Sequence, residues 1–323
     1  MMDAKTAIKT VMERNGEIRQ IYWVACGGSL VDLYPAHCMM MAESMLVESG
    51  IYTSREFLLA TPKKLGKTSL TVLCSHSGGT KETLDAAELA LSRGSAVITM
   101  THAPGSPADS DRWISWVYPW SEDQKTEVIP SGISLSIAAE LLAAQEEFSS
   151  YDALMEGIRK MDGIVAAAKE KVRAELCDRF AALCQKHDFL YILGSGAAFS
   201  QTYGFAICSL MEMQWQHCAY LHSGEYFHGP FEVTEDGVFY FLQKSSGKCR
   251  PMDERAEDFL KTHTDTLMVL DALEYGMDAV DPAVRDYLDP VLFYAMNCEL
   301  RSARGRLFDH DVDYRRYMGK VPY

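Results

Sequence analysis

The feature that most constrains this chain is a unit that occurs twice. Short apolar runs rich in β-formers begin at Ile21, Leu70 and Ala96, and again at Phe189, Val238 and Leu267. The offsets are 168, 168 and 171 residues, nearly constant. Spacing this regular argues for a duplicated unit rather than two unrelated domains. Several runs enter small-residue turns. Ile21–Ala25 leads into Cys26-Gly-Gly-Ser29, Leu70–Cys74 into Ser75-His-Ser-Gly-Gly-Thr80, and Phe189–Leu193 into Gly194-Ser-Gly196. Strands alternating with helices imply parallel sheets joined by right-handed crossovers. The expected fold class is therefore α/β, each half a mainly parallel sheet flanked by helices. A length of 323 residues suits two domains of ordinary size, placed here at 1–150 and 151–323.

Helical patterns fill the intervals. They cover residues 3–14, the stretch from Ser29 to about Glu48, a segment beginning at Thr80, about 131–147, about 151–187 in one or two pieces, and about 291–304. In the segment after Thr80, Leu84, Ala87 and Leu91 share one narrow face.

Composition removes several function classes. The net charge is −14, which disfavours nucleic acid and anionic membranes as partners. No apolar run reaches the ~18 residues of a membrane span. Residues 1–6 lack the apolar segment of a signal peptide, and the nine scattered cysteines form no C-x-x-C pair. A cytoplasmic chain with reduced cysteines is the expectation.

In open α/β sheets, ligands bind beyond the carboxyl ends of the strands. Cys26–Ser29, Ser75–Thr80 and Gly194–Gly196 all fall there. The hydroxyls of Ser75, Ser77 and Thr80, at a strand-to-helix turn, suit a phosphate. The alternative is that Ser77 or Thr80 merely caps the helix, which accounts for one hydroxyl better than for three. Glu212 lies in the otherwise apolar run 205–215, where burial would lift its pKa toward the range of a base that can also act as an acid. His228 follows sixteen residues later, just before Gly229-Pro230, with Glu225 between them. These groups suit proton transfer; the alternative is a Glu–His pair that only fixes packing. No His, Cys and Asp cluster has metal-ligand spacing, so no metal or other cofactor is expected. The end of the chain, 309–323, is polar but carries Tyr314, Tyr317, Tyr323, Arg315, Arg316 and Lys320, a content suited to docking.

Together, Ala25-Cys-Gly-Gly-Ser29, Ser75-x-Ser-Gly-x-Thr80 and Ser223-Gly-Glu-Tyr-Phe-His-Gly-Pro230 resemble the sugar isomerase (SIS) domain family. Within it the chain is most similar to the bacterial fructosamine 6-phosphate deglycases, over essentially its whole length. The resemblance implies two tandem SIS domains and a homodimer with its active site near the subunit interface. It implies cleavage of a 6-phosphorylated Amadori product to glucose 6-phosphate and a free amine or amino acid. Glu212 and His228 match the catalytic pair, with Glu225 either a second acid/base or a ligand of sugar hydroxyls. Ser75, Ser77 and Thr80 match the phosphate site, with Gly28 and Ser29 nearby, and the tail is expected to close over the sugar phosphate with Lys320 adding charge. Residues 121–133 depart from the relatives and leave the amine unnamed. An aldose–ketose isomerase, an aminotransferring synthase and a non-enzymatic sugar-phosphate sensor are the competing readings.

Overall fold

The computed structural model describes residues 2–121 and 124–322. Glu122, Asp123 and Tyr323, which belong to the divergent segment and the aromatic tail noted above, lie outside the described residues. The chain divides into two compact units, Met1–Arg159 and Lys160–Tyr323.

The first unit holds α1 (Ala4–Asn15), β1 (Gln20–Ala25), α2 (Gly28–Glu43), β2 (Glu48–Thr53), α3 (Ser54–Leu59), β3 (Ser69–Cys74), α4 (Lys81–Ser92), β4 (Ala96–Thr101), β5 (Ile114–Val117) and α5 (Pro130–Gln145). Its five strands are parallel, in the order β2-β1-β3-β4-β5. Tyr22, Val24, Leu73 and Val97 point to one face, against Phe57 of α3 and Ala86, Ala87 and Ala90 of α4. The alternate residues Ile21, Trp23, Leu70 and Val72 are also fully buried, as a sheet covered on both faces requires. The buried stripe of α4 is Thr83, Ala86, Ala87 and Ala90 rather than the expected Leu84, Ala87 and Leu91. Small side chains let the helix lie close to the sheet, and the leucines fill its flanks.

The helix α6 (Tyr151–Glu175) contains the boundary between the units, between Arg159 and Lys160. The second unit continues with α7 (Cys177–Lys186), β6 (Phe189–Gly194), α8 (Phe199–Gly204), a π-helix (Phe205–Glu212), β7 (His217–His222), β8 (Phe239–Lys244), α9 (Arg250–His263), β9 (Leu267–Asp271) and α10 (Arg285–Leu307). Its strands are again parallel, in the order β7-β6-β8-β9. Phe239 and Phe241 face Phe180 of α7 and, for Phe241, Phe205 of the π-helix. Tyr240 and Leu242 face the other way, toward Tyr226 and toward Ala256 and Leu260 of α9.

Beyond the six runs the structure has β5, in the apolar, β-prone stretch 113–120, and two strands that escaped the sequence reading and are counterparts. β2 begins at Glu48 and β7 at His217, 169 positions apart, the same interval as between Gln20 of β1 and Phe189 of β6. Both lie at a sheet edge, where one side of the strand has no neighbour. Their sequences, ESGIYT and HCAYLH, are correspondingly only half-buried, and their apolar stretches, two and four residues long, are too short to stand out. The helix expected to reach Glu48 therefore ends at Glu43, leaving room for β2. All nine cysteines are free thiols. Among the described residues, no helix is long and apolar enough to cross a membrane.

The N-terminal turn of α5 lies against the backbone of residues 126–128. A Cβ at Gly132 would stand 1.8 Å from the Thr126 carbonyl oxygen and 2.8 Å from its carbonyl carbon. Backbone cannot yield as a flexible side chain can. Gly132→Ala is therefore expected to destabilise the protein by about 1–3 kcal/mol or more, read as a lowered urea midpoint at an unchanged m-value.

Candidate active site

The first sheet reverses its direction of growth between β1 and β3. The chain leaves β1 for β2 on one side, whereas β3 leads to β4 on the other. Such a reversal opens a crevice beyond the carboxyl ends of the two strands. Residues 26–29 follow β1 into it and residues 75–80 follow β3. Gly27 is the N-cap of α2 at φ 55°, a conformation that glycine enters without a Cβ penalty. Gly28 is exposed, and a Cβ there would meet nothing within 4 Å. The Ser29 hydroxyl meets the Cys74 thiol, which burial pushes up to about 12.

In the second loop, the buried Ser75 donates from Oγ to Thr80 Oγ1 at 3.0 Å and accepts from Thr80 N–H at 3.4 Å. Ser77 is exposed, and its Oγ accepts from Gly79 N–H at 3.4 Å. Thr80 occupies the N-cap position of α4, yet its side chain makes no capping bond. The simple capping explanation of these hydroxyls therefore does not hold for Thr80. The first amides of α4 have no intrahelical acceptor, and the helix dipole adds positive potential there. Gly78 draws the loop tight. At φ 68° a Cβ would stand 1.9 Å from Ser106 Oγ and 2.8 Å from Thr101 Oγ1.

A cluster absent from the sequence reading borders this loop. His76 stacks on His102, with centroids 5.0 Å apart and planes at 15°. Its Nδ1 hydrogen-bonds the Tyr118 hydroxyl at 3.0 Å, and Trp120 meets its ring edge-on at 4.8 Å. Burial, and then the neighbouring His102, lower the His76 pKa from its ordinary value. The one available signal was the position of His76 between two site serines. Its partners come from later loops, and only the sheet gathers them.

The second unit has the same reversal, between β6 and β8, but its loop is closed by the chain itself. Ser245 N–H and Oγ–H donate to Asp253 Oδ2 at 2.9 and 2.7 Å. Ser246 N–H and Oγ–H donate to Asp289 at 2.7 and 2.6 Å. Donors that could have held a phosphate are thus spent on two buried carboxyl groups. Burial raises both pKa values, that of Asp289 to about 8.

Glu212 ends the π-helix, but it is not in a dry core. Its side chain is 27% exposed and its Oε1 accepts from Arg315 Nε at 2.8 Å. The full burial expected from the apolar run is not reached, because the helix surfaces at its last turn and leaves the side chain partly buried. Glu225 and His228 are exposed in the loop after β7, joined by a backbone bond from His228 N–H to Glu225 O of 2.9 Å. Lys320 is exposed, with Nζ 3.9 Å from the Tyr314 ring centroid. Glu212 and His228 sit on elements that pack against opposite faces of the second sheet. The π-helix meets Phe180 and Phe241 on one face of the second sheet. Tyr226 and Phe227, which lead into His228, pack on Phe259 of α9 on the other. No hydrogen bond or ring contact among the described residues joins the two groups. The edge strand β7 runs between them in the chain.

The chain is 36% identical over 309 residues to the fructosamine deglycase FrlB of Bacillus subtilis, spanning 95% of this chain and 93% of that one. The chain belongs to the fructosamine deglycase family. The fructoselysine 6-phosphate deglycase of Escherichia coli O157:H7 is a more distant member, 26% identical over 318 residues, with 97% of this chain and 89% of that one covered. A crystal structure from Salmonella typhimurium LT2, provisionally named a phosphosugar isomerase, superposes with a TM-score of 0.95 at 34% identity, covering 99% of this chain and 96% of that one. No family model matches the chain. The resemblance read from the three short motifs is thus borne out at the level of the family.

The closed loop of the second unit makes a test of its own. The Asp289 carboxyl is raised from 3.8 to about 8 in the folded protein, so the fold binds its proton more tightly than the unfolded chain does. That contribution to stability is complete below about pH 4 and is lost as pH rises toward 8. In Asp289→Asn, the amide oxygen can still accept from Ser246 N–H and the amide nitrogen can donate to its hydroxyl. Between pH 5 and 8 the variant should lose less stability than the wild type, by up to about 1.4 kcal/mol per pH unit. Urea unfolding at several pH values measures the difference, and parallel curves would contradict it.

Proposed function

We propose that this protein is a cytoplasmic deglycase that hydrolyses a 6-phosphorylated fructosamine to glucose 6-phosphate and a free amine or amino acid. In this reading the two units are tandem SIS domains. The observation that carries it is the loop of residues 75–80, placed at a switch point with Ser77 exposed and Thr80 uncommitted to capping. That arrangement suits the phosphate of a sugar phosphate. Relatives named for fructosamine and fructoselysine 6-phosphate support the same substrate class.

The chemistry assigns the remaining groups. A base, Glu212, removes a proton from C1 of the fructosamine, and the electron pair forms the C1–C2 double bond of an enaminol as O2 takes a proton. Reprotonation at C2 moves the double bond to C1–N and gives a protonated aldimine. Water then adds to C1 and the C–N bond breaks, leaving the aldehyde of glucose 6-phosphate and the amine. His228 is the proton donor at O2, and Glu225 beside it holds a sugar hydroxyl or shares the proton transfer. Lys320 contributes positive charge from the tail. Because the elements that carry Glu212 and His228 pack on opposite faces of one sheet, the reading takes the pair that acts on one substrate from two copies of the chain. A homodimer with shared sites supplies both.

Four tests separate the parts of the reading. Ser77→Ala and Thr80→Ala should each weaken substrate binding by about 1.5–3 kcal/mol, seen in KM with kcat less affected. Release of free amine from fructoselysine 6-phosphate distinguishes a deglycase from an isomerase. Glu212→Gln and His228→Ala should each lower kcat at least ~10²-fold. Mixing the two inactive variants under subunit exchange should restore roughly a quarter of wild-type activity, since half the dimers are mixed and each has one intact site. An inactive mixture of well-folded, exchanging dimers would refute the shared site.

A further inference from the structure

The π-helix that ends at Glu212 is met there by the far end of the chain. Arg315 Nε donates to Glu212 Oε1 at 2.8 Å, and its NH1 donates to the Val312 carbonyl at 2.6 Å. The guanidinium is thus fixed to the turn of its own tail while it holds the carboxylate. Both side chains are largely shielded, Arg315 to 18% exposure. Among the described residues, no donor meets Glu212 Oε2.

The tail has its own anchor, independent of that pair. Arg316 lies 3.7 Å above the Trp215 ring, and His310 and Tyr314 meet the same ring edge-on at 4.6 and 5.5 Å. Trp215 takes φ 53°, a costly conformation for a bulky residue. Neighbouring bonds hold it there. The buried Arg304 donates to Gln214 O and Oε1 at 3.1 and 3.0 Å and to Gln216 Oε1 at 2.8 Å. A strained platform three residues beyond Glu212 therefore receives the tail and delivers Arg315 to the carboxylate.

We infer that Arg315 is a positioning residue of the reaction, fixing one oxygen of Glu212 so that the other is presented to the C1 proton. A glutamate carboxylate on a surfacing turn has free rotation about its last bond. A single donor on Oε1 removes that freedom without occupying Oε2. Proton abstraction is sensitive to such placement, since an error of about 1 Å can cost ~10²-fold in rate. The inference rests on Glu212 being the base, and it adds a role for the tail distinct from the charge of Lys320.

Chemical rescue tests it, with fructoselysine 6-phosphate as substrate. Arg315→Ala should lower kcat ~10–10²-fold with KM within about threefold of wild type, and methylguanidine in the buffer should restore a substantial part of kcat. Arg315→Lys, which keeps the charge but not the planar fork, should recover less than methylguanidine does. Arg316→Ala, which loosens the platform but keeps Arg315 in the chain, serves as the control for tail docking and should respond to methylguanidine less than Arg315→Ala does. A wild-type kcat in Arg315→Ala, or a loss that methylguanidine leaves untouched, would overturn the inference. Glu212→Gln is assayed alongside. If that variant keeps full turnover, the base assignment itself is wrong, whereas an inactive Glu212→Gln beside a fully active Arg315→Ala condemns only the role given to Arg315.

Discussion

A parallel sheet cannot be closed by tight turns. Every strand must return through a crossover, and the crossovers bury both faces. In each unit this protein takes its first crossover to one side and the rest to the other. The reversal leaves a crevice at the carboxyl ends of the central strands, where loop amides and helix N-termini point outward. Everything placed in the first unit's site depends on that geometry. Ser29 reaches the crevice from β1, the serine loop from β3, and the His76 cluster from the ends of β3, β4 and β5.

Duplication reproduced the crevice without reproducing its chemistry. The loop after β3 presents hydroxyls around a glycine that only fits because it lacks a Cβ. The loop after β8 also presents serines, yet Asp253 and Asp289 reach back and take their donors. A carboxyl group bound in this way occupies the donors that an external ligand would need. It stabilises the second unit as a scaffold while the first keeps its loop open. The cost is a buried acid that the fold prefers neutral, visible in the raised pKa of Asp289.

The second unit places Glu212 and His228 by other means. Glu212 is carried to the surface at the end of a widened helical turn and held by Arg315, a pairing across 103 residues of chain. His228 leaves the opposite face of the same sheet. The edge strand β7 divides the two, so the short interval between them in the chain is no guide to their distance in one copy.

The sequence by itself determined the α/β class, the duplication, the strands buried on both faces and the serine loop at a strand end. Each leaves a local mark: an apolar run, a glycine turn, a repeated interval. The family was legible for the same reason, since Ser75, Ser77 and Thr80 and the segment 223–230 are contiguous motifs. Tertiary structure alone decided the rest. The edge strands β2 and β7 were hidden because half-buried strands need no apolar run. The exposure of Glu212 depended on where the π-helix surfaces, and its partner Arg315 on where the tail returns. The plugging of the second loop depended on Asp289 in α10, 43 residues away. Hydrogen bonds and ion pairs between distant segments leave no periodicity in the chain, because their energy depends on positions that only the packed sheet and helices create.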